Sequence, residues 1–445
     1  MRTVLLVILG AWLLRTPSAS SEVTCPRFPD PLSRADSYPA GGRPHGIAAA
    51  DLDDDGDVDL AVTAQLDDAV HVLWNDGCGQ FPEQTIWIVD DGPYSIVAAD
   101  LDADGHMDLA TANSGSGDVS VLRNLGGGQF APAVNYAAHA GTMGLAAGDL
   151  DGDQDVDLIA VNTTDESVSL LFNNGDGTFA PQVRWIVYHG PTSVVIDDLD
   201  GDGDQDFAVA DWYASGPAVW VFFNYGDGTF PLVRWLSGAF GLVCIASGDL
   251  NGDELPELAV GNADGSSTWL SVYFNQGSGY FSAPVDYSVG LHPYAIGIAD
   301  FDGDGWRDLV VANAEASSMS YLRNLGDGTL APHVQYAAGA GPCALAVANV
   351  DPDLDLDVAL ANWISGTVSV LRDACPVLGD LNCSGVVTFA DINPFVLALA
   401  NPSEYEAAYP GCDILQADMD GDGAVGFADI NPFIALLAAA PCSAE

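Results

Sequence analysis

Apolar and polar positions recur along this chain with a long period. A small-residue run such as Ile47–Ala50 or Ile96–Ala99 precedes an acidic stretch. A β-rich run follows, such as Leu60–Val62 or Phe207–Val209. A third run alternates (Val119 and Val121; Val168 and Leu170), and a glycine-rich turn leads to a fourth, such as Ala133–Tyr136. Short runs of this kind, bounded by Gly, Asn and Asp, predict strands. The acidic stretches start at Asp51, Asp100, Asp149, Asp198, Asp249, Asp300 and Asn349, 49 to 51 residues apart. A second marker, Asn-x-Gly-x-Gly-x-Phe or a close variant, ends at Phe81, Phe130, Phe179, Phe230, Phe281 and Leu330. Four antiparallel strands per repeat of this length predict propeller blades, and seven acidic stretches predict seven of them. Ala and Gly in the first run suit an innermost strand, where blades crowd around an axis.

The seventh repeat has only three strands, the last at Val368–Leu371, and the pattern stops at Cys375. At the other end, Leu32–Tyr38 has the spacing of a fourth strand: Leu32 precedes Asp51 by 19 residues, as Phe130 precedes Asp149. The N-terminal strand is therefore expected to complete the last blade and close the ring, which removes open sheet edges. Beyond the ring, two segments 38 residues apart repeat a different pattern, a polar loop followed by an apolar helix stripe. The stripes are Ile392, Phe395, Val396, Leu399 and Ile430, Phe433, Ile434, Leu437. The expected organisation is a signal peptide over 1–21, a mainly β propeller over 22–375, and a small α-helical domain over 376–445.

Charge sharpens this picture. The chain has 63 Asp plus Glu against 11 Lys plus Arg, for a formal net charge of -52. That excludes a nucleic-acid binder working by phosphate neutralisation and disfavours anionic lipid. With 49% hydrophobic residues it is no solvated acidic tail. Half of the acid is local: the seven nine-residue stretches hold 32 of the 63 carboxylates. The apolar run Val4–Leu14, ended by Arg15 and followed by small residues around Ala19, reads as a cleaved export signal. Export to an extracellular, calcium-containing and oxidising space is the expected localisation.

Within each stretch, ligand positions 1, 3, 5 and 9 offer side-chain oxygens and position 7 offers its carbonyl. The sets are Asp51, Asp53, Asp55, Asp57, Asp59; Asp100, Asp102, Asp104, His106, Asp108; Asp149, Asp151, Asp153, Asp155, Asp157; and Asp198, Asp200, Asp202, Asp204, Asp206. The last three are Asp249, Asn251, Asp253, Leu255, Glu257; Asp300, Asp302, Asp304, Trp306, Asp308; and Asn349, Asp351, Asp353, Asp355, Asp357. Oxygen-only sets wrapped by glycine turns suit calcium rather than zinc. Four converging carboxylates without a cation would raise one another's pKa values strongly. In the tail, Asp380, Asn382, Ser384, Val386 (carbonyl), Thr388 and Asp391 form one twelve-residue calcium loop. Asp418, Asp420, Asp422, Ala424 (carbonyl) and Asp429 form the other, with Gly426 at its ninth position. About seven calcium ions in the propeller and up to two in the tail follow, with Asp in place of the usual terminal Glu of an EF-hand.

The Asp-x-Asp-Gly-Asp-x-x-Asp-Leu loops and Asn-x-Gly-x-Gly-x-Phe turns resemble the FG-GAP/VCBS repeats of integrin α-subunit propellers and secreted bacterial proteins, over residues 32–375. The resemblance implies a seven-bladed propeller with calcium between the first two strands of a blade; it implies no catalysis. The tail resembles a type I dockerin over 378–440, which implies attachment to a cohesin-like module. Its departures are the insert from Asn401 to Cys412, and Cys383 with Ser384 in the first loop.

Of eight cysteines, Cys383–Cys412 and Cys25–Cys375 are candidate disulfides, with Cys375–Cys442 competing. Cys244 and Cys343 read as buried thiols on inner strands, and Cys78 is unassigned. The face opposite the acidic loops is expected to carry Trp212, Tyr213, Trp363, His189 and His292, together with His45 and His139, as a ligand surface. No nucleophile elbow, zinc-protease helix or phosphate loop is present in the sequence. The expectation is a non-enzymatic extracellular scaffold that binds a protein or glycan, without a membrane span. The alternatives are a lectin with sugar pockets between blades and a polysaccharide lyase.

Overall fold

The computed structural model describes residues 35–372, except 188, 213–218, 239–240, 264–266 and 352–354, together with 381, 389–409, 414–417, 419 and 425–439. The signal segment, Leu32 to Arg34, and Cys25, Cys375, Cys383, Cys412 and Cys442 lie outside the described residues. The chain divides into two compact units, a β-propeller and a helical tail.

Seven four-stranded antiparallel sheets make the propeller. Blade one runs Pro44–Ala50, Asp59–Ala64, Ala69–Trp74 and Glu83–Ile88 from axis to rim. Blade seven has Pro342–Ala348, Asp357–Asn362 and Thr367–Leu371 in sequence order, and takes Ala35–Pro39 as its outer strand. Ala35 faces Leu371 and Pro39 faces Thr367. The N-terminal strand closes the ring as expected, and Arg372 pairs with Asp36 beside that seam.

The core lies between blades rather than on the axis. Every residue of each second strand is buried, for instance Asp59–Ala64 and Asp108–Asn113, because neighbouring blades cover both faces. Ala61, Val70 and Val72 of blade one pack with Leu109 and Leu122 of blade two. Burying the Val and Leu side chains stabilises by about 1.5–3 kcal/mol each. The Phe that ends each of the first four turn markers meets an aromatic ring of the preceding blade. Phe130 of blade two meets Trp87 of blade one edge-on, with centroids 5.4 Å apart. Tyr136 with Phe179 and Tyr38 with Phe81 repeat the contact at 5.2 Å. Fourth strands such as Val183–Ile186 are largely exposed at the rim.

Each innermost strand carries a β-bulge near its start, between Pro93 and Ser95 in blade two and at the matching place in the other six. A bulge re-aims a side chain, and here it does so once per blade.

In the tail, α1 (Ile392–Ala400), α2 (Pro402–Ala408) and α3 (Ile430–Ala439) surround a core of Leu381, Phe395, Ala398, Tyr405, Ala417 and Phe433. The rings of Phe395 and Phe433 stack at 4.0 Å. The expected stripes split: Val396 and Ile434 are 55% and 57% exposed, because the Phe–Phe stack turns the adjacent position outward. Among the described residues no helix is long and apolar enough to cross a membrane.

Candidate functional site

The acidic stretches form the loops between first and second strands. Position 1 shapes each loop. In blade one the two Asp51 oxygens accept N–H bonds from Asp54 at 2.8 Å and Gly56 at 3.0 Å, and Asp55 accepts from Asp57 at 3.0 Å. Positions 4 and 6 consequently take left-handed backbone, φ 66° at Asp54 and 96° at Gly56. This explains the glycines at those places in the other loops.

Position 9 closes the loop. The Asp59 carboxylate accepts the N–H of Leu52 at 3.1 Å and that of Asn75 at 2.8 Å, and Asp108, Asp157, Asp206, Glu257 and Asp308 repeat both bonds. Burial pushes Asp59, Asp157, Asp206 and Glu257 up to about 7; the N–H bonds resist the shift and the neighbouring loop carboxylates add to it. Burial likewise pushes Asp108 and Asp308 up to about 6.

Positions 1, 3 and 9 converge in loops one to four: one carboxylate oxygen from each of Asp51, Asp53 and Asp59 lies within 4.8 Å of the others, as in Asp100–Asp102–Asp108, Asp149–Asp151–Asp157 and Asp198–Asp200–Asp206. In the same four loops a buried Oδ1 at position 3 (Asp53, Asp102, Asp151, Asp200) has no hydrogen-bond partner. An unpaired buried carboxylate oxygen is costly. These four acidic clusters, with such an oxygen at equivalent positions, could each hold a metal ion.

The remaining loops differ. In loop six Asp300, Asp302 and Asp304 converge instead. Asp308 there accepts the Tyr321 hydroxyl at 2.9 Å, while Arg323 pairs with Asp302 at 2.6 Å and Asp304 at 3.1 Å. In loop five the Asn251 amide donates to Glu257 at 3.1 Å. In loop seven Asp353 lies outside the described residues, and Asn349 accepts from the Asp351 N–H at 3.2 Å. Position 7 is not a neutral spacer. His106 pairs with Asp54 of the preceding blade at 2.8 Å, and Trp306 covers Gly252, where an added Cβ would lie 2.6 Å from the ring.

The marker Asn is a functional position that lies outside the spaced acidic residues. Its Nδ2 donates to the main-chain carbonyl of position 2 in the preceding blade: Asn75 to Val350, Asn124 to Leu52, Asn173 to Leu101, Asn224 to Leu150, Asn275 to Leu199 and Asn324 to Leu250, at 2.7–3.0 Å. Its recurrence at the head of every turn marker was the available signal.

The opposite end of the ring holds a cavity of about 690 Å³, lined by the bulge residue of all seven inner strands: His45, Tyr94, Met143, Thr192, Val243, Tyr294 and Cys343. Trp212 also lines it, while Trp363 and His292 line an adjoining cavity of about 200 Å³ that shares His45, Tyr294 and Cys343. His45 stacks on Tyr94 at 4.2 Å. His292 pairs with Glu315 at 3.4 Å and His139 with Asp165 at 3.6 Å. His189 is not among the residues lining either cavity, and Tyr213 lies outside the described residues. Cys244 and Cys343 are buried free thiols, and Cys78 is disulfide-bonded.

Of the tail-loop ligands, Asp391 and Asp429 are described; Asp380, Asn382, Ser384, Val386, Thr388, Asp418, Asp420, Asp422 and Ala424 lie outside. Asp391 accepts the Leu381 N–H at 2.9 Å and Asp429 that of Met419 at 2.7 Å. The last acid of each tail loop thus bonds the second residue, the same closure that Asp59 makes with Leu52.

A family model described as an FG-GAP-like repeat matches residues 51–111, 100–160, 149–209, 198–260, 249–311 and 300–360. No curated protein matches the chain significantly. Among solved structures, BBS1N in complex with ARL6DN is 16% identical, with 78% of this chain and 96% of that one covered at TM-score 0.53. A catalytically inactive virginiamycin B lyase from Staphylococcus aureus with quinupristin is 12% identical, with 76% and 98% covered at TM-score 0.51. An Agrocybe aegerita lectin recognising non-reducing terminal N-acetylglucosamine is 21% identical, with 68% and 80% covered at TM-score 0.47. At these identities the likenesses at 0.51 and above show the shared fold alone.

Proposed function

The chain belongs to the FG-GAP-like repeat family, and from that premise we propose that it is a secreted, calcium-loaded propeller scaffold. It binds a protein or glycan outside the cell and carries no catalytic role. The observation that supports the metal is the row of partnerless buried oxygens on Asp53, Asp102, Asp151 and Asp200, each beside two further carboxylates. Positions 1, 3 and 9 would hold the ion, with positions 5 and 7 completing the oxygen set. A hard cation preferring six to eight oxygens fits this donor chemistry. When bound, calcium supplies the charge neutralisation that lets the position-9 acids ionise in their buried setting. Loop six holds Arg323 where a cation would compete, so its site is the weaker one.

The ligand face is the end opposite these loops, where bulges gather seven side chains, and the helical tail is the tether. Its exposed Phe389 and Phe427, at equivalent places in the two halves, suit docking to a cohesin-like module. A propeller lectin is the second reading, favoured by the aromatic lining of the axial cavity. Metal analysis of the purified chain, with melting curves in calcium and in excess EGTA, tests the scaffold. A metal-free chain with an unchanged melting curve would defeat it.

A further inference from the structure

We propose that the axial cavity is a binding site for the neutral terminal ring of a glycan. The inference rests on the reading of the propeller as a binding scaffold and specifies where and what it binds. The cavity is constructed by the fold: seven bulges, one per inner strand, each place a residue in its lining. Regular strands would close blade against blade without this repeated interruption.

The lining chemistry selects the ligand. The His45 Nδ1 is buried, lines the cavity and has no hydrogen-bond partner. Burial holds His45 well below the usual imidazole range, with the Arg43 charge adding to the effect, so the ring offers neutral donor and acceptor atoms. Ser95, Thr164 and Ser193 add hydroxyls, and among the described residues Glu166 is the one charged residue in the lining. Hydroxyl groups that both donate and accept match a polyhydroxylated ring, and a carboxylate accepts from adjacent hydroxyls. Trp212, 40% exposed at this cavity, offers an aromatic plane for the apolar face of a sugar.

Other classes fit less well. Anionic ligands meet the Glu166 carboxylate and, among the described lining residues, no cation, in a chain of net charge -52; Arg43, whose charge reaches His45, lies over the Trp363 ring. An organic cation would use the aromatic faces and Glu166 but leave the hydroxyls idle. A threaded polymer is obstructed, since Tyr94 of blade two and Tyr294 of blade six interact across the axis. The site takes a chain end, and the volume of about 690 Å³ falls in the range of small-ligand pockets.

The test uses the full calcium-loaded chain. Intrinsic tryptophan fluorescence and calorimetry are run against glucose, galactose, mannose, N-acetylglucosamine, their β-linked disaccharides and galacturonate. At least one neutral sugar should bind, and galacturonate at least tenfold more weakly. Trp212→Ala and Ser193→Phe should each weaken binding tenfold or more, while Trp235→Ala, on the rim of blade four, should leave it unchanged. Should Ser193→Phe fail to fold, Trp212→Ala alone decides. Sugar binding that survives Trp212→Ala, equal binding of galacturonate, or no binding by any neutral sugar overturns the inference. Failure of the scaffold reading shows separately, as indifference of the melting curve to EGTA.

Discussion

The side-chain amide of Asn124 donates to the main-chain carbonyl of Leu52 in the preceding blade at 2.9 Å, and to Met107 of its own blade at 3.0 Å. Its Oδ1 accepts the N–H of Gly126 at 3.0 Å, so one buried side chain satisfies three main-chain groups. Because Leu52 also donates to Asp59, each Asn hangs its blade on the neighbour's acidic loop.

Asn124→Ala should therefore destabilise the propeller by about 2–4 kcal/mol, since buried carbonyl and amide groups are left unpaired at ~1–3 kcal/mol each. The exposed Asn174→Ala should cost about 0.5 kcal/mol or less. Denaturant melts in saturating calcium check the contrast.

Asp151→Ala should remove one bound calcium per chain, counted by elemental analysis. It should lower stability by about 1.4 kcal/mol at tenfold saturation of that site. In excess EGTA the variant should not fall below the wild type, because its unpaired buried oxygen is gone.

Arg323→Gln should raise the affinity of loop six for a cation several-fold by removing the guanidinium held at Asp302 and Asp304. Terbium luminescence sensitised by Trp306, with Trp306→Phe as the subtraction control, reads that loop. No gain in affinity would show that Arg323 does not compete.

Stability should depend on pH through His45. Burial, with the Arg43 charge, depresses its pKa to about 4. An unfolded His titrates near 6.5. Between those values the unfolded chain binds the extra proton, so the folded state loses stability as pH falls from 6.5 toward 4. The loss amounts to about 2 kcal/mol by pH 5. In saturating calcium, wild type should lose a few degrees more in Tm between pH 7.5 and 5 than His45→Gln does. Parallel curves would contradict the assignment.

The blades were legible because their signals are local and repeated. Asp51 to Asp59 is a nine-residue stretch whose spacing alone fixes loop, glycine positions and donor type, and the 19-residue offset of Leu32 from Asp51 located the closing strand. Long-range partners were not legible. Nothing in the neighbourhood of Arg323 indicates that it reaches Asp302, or that Tyr321 takes an oxygen of Asp308. The inward turn of Tyr94 depends on a bulge, whose position is set by how Ser95 and Pro93 register on Ala112 and Asn113. The helix stripe misassigned Val396 because a period shows which residues share a side, and the Phe395–Phe433 stack decides how much of that side is covered.

The pairing of Ala35 with Leu371 sets how the ring responds to tension. The chain enters the closing strand and leaves its partner at the same end of that ladder, since Ala35 faces Leu371 while Pro39 faces Thr367. With thiols reduced, a pull between anchored tail and N-terminal segment loads the rungs one after another, as a zipper rather than in parallel. Rupture should begin at low force beside the Arg372–Asp36 clasp, in single-molecule stretching a small early step ahead of the collapse of the remaining blades.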